Sequence, residues 1–378
     1  MEITHRALRA DHTLTANFVV ERRPHGISAQ LQLQGNSKLA LFGPSGAGKT
    51  TIIEAIAGLA RLRSGWIQLD SEILSQASPR LKHKVFKHKA LWQRDIGLLR
   101  QPPGLFPHLS AIENITYSPR QPHENLEAPL PLSDLLELLG LTELASEMPY
   151  RLSGGQLQRV AIARTLYSPF KLLLLDEPYT GLDTSWKHAL TKLIIDEVDR
   201  RHVPCILVTH DLSQAQEVAD QIAVIKDGRI LQLASSDEIV RRPASKEVAE
   251  LVGYQSFVAV PPYDNKDNKE VILAIHPQKV IPGDHRDLGV VLHGMVTALK
   301  PSGVVWEVEM EVSQPNSTRA TITFAYNRSI DRVVVDTLMQ GDLHPGRWLT
   351  VTAIDPPRIP TSSIPGPEAV RPNSPSIL

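Results

Sequence analysis

Two short stretches hold the residues whose types and spacing carry the clearest chemistry. Gly43-Pro44-Ser45-Gly46-Ala47-Gly48-Lys49-Thr50 matches the pattern G-x-x-x-x-G-K-[ST], directly after the apolar run Leu39–Phe42 and at the start of a helical pattern. Glycines at those positions let backbone N–H groups curl around phosphate oxygens, and the helix N-terminus favours their negative charge. In such a loop Lys49 reaches the β- and γ-phosphates of a nucleotide, the Thr50 hydroxyl holds Mg2+, and Thr51 continues the phosphate-binding run. A Gly-rich strand-to-helix turn is the plain alternative. At an average glycine usage of about 7% the bare pattern arises by chance in roughly one or two such chains per hundred.

The second stretch is Lys171-Leu172-Leu173-Leu174-Leu175-Asp176-Glu177-Pro178, a buried-strand pattern ending in two carboxylates. Asp176 is placed to hold Mg2+, directly or through water, and Glu177, one residue on, to polarise an attacking water as general base. Alone, an acidic pair after a strand is usually a helix cap or a solvated loop. A phosphate loop in the same chain changes that reading.

Leu152-Ser153-Gly154-Gly155-Gln156, followed by Leu157–Arg164, resembles the signature motif of ATP-binding-cassette (ABC) ATPases, and the resemblance covers residues 15–245. It implies that Ser153, Gly154, Gly155 and Gln156 face the γ-phosphate bound to a second ATPase subunit, so that two cassettes sandwich two ATPs. It also implies that Gln101 is the glutamine sensing Mg2+ and the attacking water, that Asp183 communicates across the dimer, and that His210 contacts the γ-phosphate. One part of the pattern is missing. Many relatives carry an aromatic residue upstream of the P-loop that stacks on adenine, whereas Arg22-Arg23-Pro24-His25-Gly26 has no Tyr, Phe or Trp. His25 is either a substitute flat ring or a turn histidine.

The elements that must position these residues follow from periodicity. Residues 1–245 alternate short apolar runs with helical patterns, as in an α/β domain with a mostly parallel sheet. Strands are expected at Lys38–Phe42, Lys171–Leu175, Pro204–Thr209 and Gln221–Lys226, and helices at Lys49–Leu59, Ser185–Arg201 and Leu212–Ala219. Residues 102–155, with the Leu-rich stretch Leu132–Leu144, read as a helical insertion. Beyond residue 250 the runs Val271–Ile275, Val290–Leu299, Val304–Val312, Thr318–Phe324 and Trp348–Ile354 are short and β-branched. The expected fold is an α/β P-loop ATPase core with a helical insertion, plus a C-terminal all-β (OB-like/TOBE) domain. Its divisions are a cassette at 1–250, a linker at 251–269, a β domain at 270–357 and a Pro-rich disordered tail at 358–378.

Composition narrows the class. Lys+Arg is 40 against Asp+Glu 41, a balance that argues against a protein built to hold nucleic acid. The one cysteine, Cys205, excludes a disulfide scaffold and reads as an inert core thiol. No apolar run reaches the roughly 18 residues that span a bilayer, and the N-terminus lacks a signal-peptide pattern. A peripheral place on the cytoplasmic face of the membrane is expected. The β region resembles the TOBE-type domain of import ATPases, with Ala274–Val280 as a loose version of its opening motif. The resemblance implies integral membrane permease subunits and, indirectly, a substrate-binding protein as partners. The wordings Phe42–Thr50 and Leu105–Leu109, the missing aromatic residue and the single β domain are similar to the molybdate branch. Sulfate, polyamine and sugar importers share the layout. A soluble ABC ATPase acting on nucleic acid is the remaining alternative, set back by the single cassette and the lack of sustained heptads.

Overall fold

The computed structural model describes residues 11–22, 26–78, 87–117 and 128–260. Beyond these it describes 271–302, 305–313, 319–327 and 348–360, apart from Gly283, His285, Leu288 and Asp355. The chain divides into two compact units, Met1–Ser236 and Asp237–Leu378.

The first unit opens with β1 (Thr13–Val20) and β2 (Ile27–Gln34), where alternating apolar and polar residues give alternating burial. Next come β3 (Lys38–Phe42), α1 (Lys49–Ala57), β4 (Leu62–Leu69), β5 (Glu72–Ala77), β6 (Lys87–His88) and β7 (Ile96–Leu99). The helical insertion supplies α2 (Ala111–Thr116) and α3 (Leu132–Leu138), and α4 (Gly154–Tyr167) leads back to the sheet. The unit finishes with β8 (Leu172–Asp176), α5 (Thr184–Arg201), β9 (Cys205–Thr209), α6 (Leu212–Val218), β10 (Gln221–Lys226) and β11 (Arg229–Ser235).

These strands form two sheets. One is antiparallel, in the order β2-β1-β4-β5-β6. The other, β11-β10-β3-β9-β8-β7, is parallel except at its β10–β11 edge. Its inner strands β3, β8 and β9 are buried at every residue, as expected where both faces of a parallel sheet are covered. Alternate residues serve different cores. Leu172, Leu174, Ile206 and Val208 join α1 and the antiparallel sheet on one side, whereas Leu173, Leu175, Cys205 and Leu207 join α2, α3, α4 and α5 on the other.

Register brings the carboxyl ends of the parallel strands level. Phe42 pairs with Thr209, Asp176 with Val208, and Leu99 with Leu175. Every sequence-expected hydrolytic residue lies just past one of these ends, the usual ligand-binding edge of an open α/β sheet.

The four strands and three helices expected for this sheet are present with ends shifted by at most two residues. The Leu132–Leu144 stretch differs: α3 stops at Leu138, and Thr142–Leu144 is a separate 3-10 turn. The antiparallel sheet was not resolved into strands by the sequence reading.

All but the first residue of α7 (Ser236–Arg241) belongs to the second unit, as does α8 (Lys246–Leu251), so that unit is not purely β. Its strands are β12 (Ser256–Val260), β13 (Val271–Ile275), β14 (Val280–Pro282), β15 (Gly289–Ser302), β16 (Val305–Ser313), β17 (Arg319–Asn327), β18 (Trp348–Ile354) and β19 (Arg358–Pro360). They pair antiparallel in two sheets, β12-β13-β19 and β14-β18-β15-β16-β17. The turn expected at Pro301–Gly303 is partly strand, because β15 continues through Ser302. Arg358–Pro360, expected at the start of the tail, instead pairs with β13. Most of the expected linker, residues 261–269, and the rest of the tail lie outside the described residues.

Candidate active site

The P-loop connects β3 to α1. Gly48 caps α1 with φ +104, a conformation that residues with a Cβ rarely adopt. A Cβ on Gly43 would fall 2.1 Å from the Ile225 carbonyl oxygen, so the loop can pass β10 only as glycine. Lys49 turns its ammonium into the loop and donates to the carbonyls of Gly43 at 2.7 Å and Pro44 at 2.9 Å. Burial lowers the Lys49 pKa from its ordinary value, while the carboxylates of Glu177 and Asp176 act the other way. The Thr50 hydroxyl donates to Asp176 Oδ1 at 3.1 Å. Burial is also the main cause of a raised Asp176 pKa, opposed by the Thr50 hydrogen bond and reinforced by the Glu177 charge.

Glu177 stands just past β8 in the left-handed region, φ +49, and its N–H donates to the Val208 carbonyl at 3.1 Å. A non-glycine residue held there costs about 1–3 kcal/mol and persists only where its surroundings enforce it. His210, just past β9, sets Nδ1 2.9 and 3.0 Å from the two Glu177 carboxylate oxygens. Gln101 follows β7, and its Nε2 lies 3.5 Å from Thr180 Oγ1.

A cavity of about 1120 Å3 lies over the P-loop and is lined by Ser45–Thr51, Gln101 and Glu177 among others. The oxygen donors Thr50, Asp176 and Gln101 suit Mg2+, which is commonly held by one or two carboxylates together with substrate phosphates. Among the described residues no group of three or more His, Cys, Asp or Glu forms a separate metal cluster.

A family model described as ABC transporter matches residues 28–180. The sulfate/thiosulfate import ATP-binding protein CysA of Methylococcus capsulatus is 32% identical over 302 residues, covering 74% of this chain and 82% of the relative. The putrescine transport ATP-binding protein PotG of Escherichia coli is 36% identical over 215 residues, 57% of this chain and 54% of that one. The molybdenum import ATP-binding protein ModC 2 of Bradyrhizobium diazoefficiens is 34% identical over 229 residues, 59% of this chain and 24% of that one. The chain belongs to the ABC transporter family. It is an ABC transport ATPase of the importer type.

In this ABC ATPase the signature residues already have local work. Ser153 caps α4: its Oγ accepts from the Gln156 N–H at 3.3 Å, and Gln156 Oε1 accepts from the Ser153 N–H at 2.7 Å. Gly154 begins that helix, and a Cβ on Gly155 would lie 2.7 Å from the Gly181 carbonyl. Asp183 caps α5, accepting from Trp186 N–H at 3.0 Å and from the Ser185 hydroxyl at 2.7 Å. None of these five residues lines the P-loop cavity, and neither do Asp176 and His210, whereas Lys49, Thr50, Gln101 and Glu177 do. Cys205 is buried in β9, and burial pushes its thiol up to about 12. His25 lies outside the described residues.

Two residues escaped the sequence reading. Buried Gln158, in the second turn of α4, donates to the Pro178 carbonyl at 3.0 Å and so fixes the chain just after Glu177. Its position two residues after Gln156 was visible, but nothing in the sequence gave it a partner. Arg22 lines the cavity and donates from Nη1 to Thr51 Oγ1 at 2.5 Å.

Proposed function

We propose that this chain binds Mg2+–ATP at the P-loop, hydrolyses it with Glu177 as general base, and thereby drives uptake of a tetrahedral oxyanion. The observation that carries the chemistry is the Glu177 carboxylate, held against His210 in the wall of the cavity that the P-loop also lines. The P-loop N–H groups and Lys49 bind the phosphates. Glu177 takes the proton of the attacking water, and His210 orients that carboxylate within reach of the γ-phosphate. Thr50, Asp176 and Gln101 would hold Mg2+, which when bound would supply positive charge against the phosphates. Ser153–Gln156 complete the site of a second copy, with Asp183 beside the dimer seam. The permease subunits and a substrate-binding protein supply the path and the selection, with the ATPase peripheral on the cytoplasmic face. No helix among the described residues is long and apolar enough to cross a membrane. The antiparallel strands of the second unit support its reading as a TOBE-type domain.

The wording of Phe42–Thr50 and Leu105–Leu109 supports molybdate as the cargo. Sulfate is the second reading, favoured by the reach of the CysA alignment, which covers 74% of this chain and so extends beyond the 1–250 cassette. Uptake in a deletion strain separates the two. Loss of molybdenum-enzyme activity at trace molybdate, restored by excess, supports molybdate; failure to grow on sulfate as sole sulfur source assigns sulfate. Normal uptake of both anions, with starvation for a polyamine, iron or a sugar, would contradict the oxyanion assignment and leave the ATPase intact.

A further inference from the structure

The P-loop cavity is larger than the roughly 300–1,000 Å3 that drug-sized ligands occupy, so it has room for the base and ribose of a nucleotide beside its phosphates. Beyond the loop its wall is built by Val20, Arg22, Ala60, Arg61, Leu62 and Arg63. No Phe, Tyr, Trp or His lines it among the described residues. Arg22 is anchored. Its Nη1 donates to Thr51 Oγ1 at 2.5 Å, and Thr51 is a buried residue of the first turn of α1, next to Thr50. One edge of the guanidinium is therefore tied to the phosphate-binding helix while the side chain lines the cavity.

We propose that the Arg22 guanidinium is the flat surface on which the nucleobase stacks, in place of an aromatic ring. The proposal rests on the ATP-binding reading of this cavity. A guanidinium is planar, delocalised and weakly hydrated, so it stacks on π-faces at a smaller desolvation cost than an ammonium. Nucleobases stack on arginine planes as they do on aromatic rings. The hydrogen bond to Thr51 pre-orders the side chain, which reduces the rotamer entropy lost on binding. Stacking reads a face and not an edge, so ATP and GTP bind within a few-fold of each other.

The test is equilibrium binding to the full-length chain with Mg2+, using ATP and inorganic tripolyphosphate as separate probes. Arg22→Ala weakens ATP binding about tenfold, the scale of a desolvated cation–π contact, and leaves tripolyphosphate binding unchanged. Arg22→Lys, which keeps the charge and loses the plane, behaves like Arg22→Ala. Arg22→Tyr restores ATP binding to within about threefold, because an aromatic face also stacks. Unaltered ATP binding in Arg22→Ala, or full rescue by Arg22→Lys, overturns the proposal. So does a parallel loss of ATP and tripolyphosphate binding, which would put Arg22 on the phosphates. An unaltered chain that binds neither probe would overturn the nucleotide reading itself, an outcome distinct from all of these.

Discussion

Glu177 concentrates the chemistry in one side chain: a strained backbone, a carboxylate on His210, and a place in the P-loop cavity. Glu177→Gln keeps shape and removes the proton acceptor. Steady-state hydrolysis is expected to fall by ~10²-fold or more while ATP binding persists; full activity would remove Glu177 from the role of base. Ser153 poses a sharper question, because its side chain already caps α4. Asp is as good an N-cap as Ser, so Ser153→Asp should leave the unfolding midpoint nearly unchanged. It also brings a negative charge to the place proposed for a γ-phosphate, so hydrolysis should be lost. Retained hydrolysis would make Ser153 a cap and nothing more. Residues set by fixed motif spacing were legible in the sequence: Lys49 and Thr50 open α1, Asp176 ends β8, and Glu177 and His210 stand just past β8 and β9. Gln158 and Arg22 were not, because their roles arise from partners 20 and 29 residues away that no local pattern announces.

Elements hold these residues through buried polar ties. Arg94 is fully buried in the first unit, where its guanidinium donates to the carbonyls of Ile56, Lys89 and Leu74 and to Ser75 Oγ. It joins the end of the P-loop helix to β5, and burial lowers its pKa to about 10. Glu197 of α5 bridges Arg200 and Arg201, and Arg201 donates to the carbonyls of Leu166 and Ser168 where α4 ends. Removing that carboxylate takes the Glu197 counter-charge from a buried guanidinium, so Glu197→Ala should lower the unfolding free energy by about 3–5 kcal/mol in denaturant titrations. Burial pushes the Glu197 pKa up, but Arg200 and Arg201 outweigh it and the net shift is downward. The sign follows from linkage: its contribution is present above the unfolded pKa of about 4.3 and is lost as pH falls through the lower folded value. The variant should therefore lose this part of the acid sensitivity. The parallel strands were readable as continuous apolar runs because both their faces are buried. The antiparallel β4 was harder to read, since Arg63-Ser64-Gly65-Trp66 mixes polar and apolar residues along a mostly half-exposed strand.

At the scale of the whole molecule, the two hydrophobic clusters described on either side of the parallel sheet draw on no residue beyond Ile230, and the P-loop, acidic pair and signature all precede it. A chain ending at Ser236 should bind ATP within a few-fold of the full chain; an unfolded or nucleotide-blind truncation would show that the second unit is needed for the first. The change in texture along the sequence falls near residue 250, whereas the two compact units divide after Ser236, because α7 and α8 resemble the helices before them and yet cluster with the strands that follow. Among the described residues Ser153–Gln156 do not line the cavity of their own copy, and in the proposed dimer a second copy supplies them. Mixing Lys49→Ala chains with Ser153→Arg chains tests it most directly, since each variant alone has two broken sites and a mixed dimer has one intact site. Hydrolysis, absent from either variant alone, should return on mixing; demonstrated mixed dimers that stay inactive would show that each copy completes its own site.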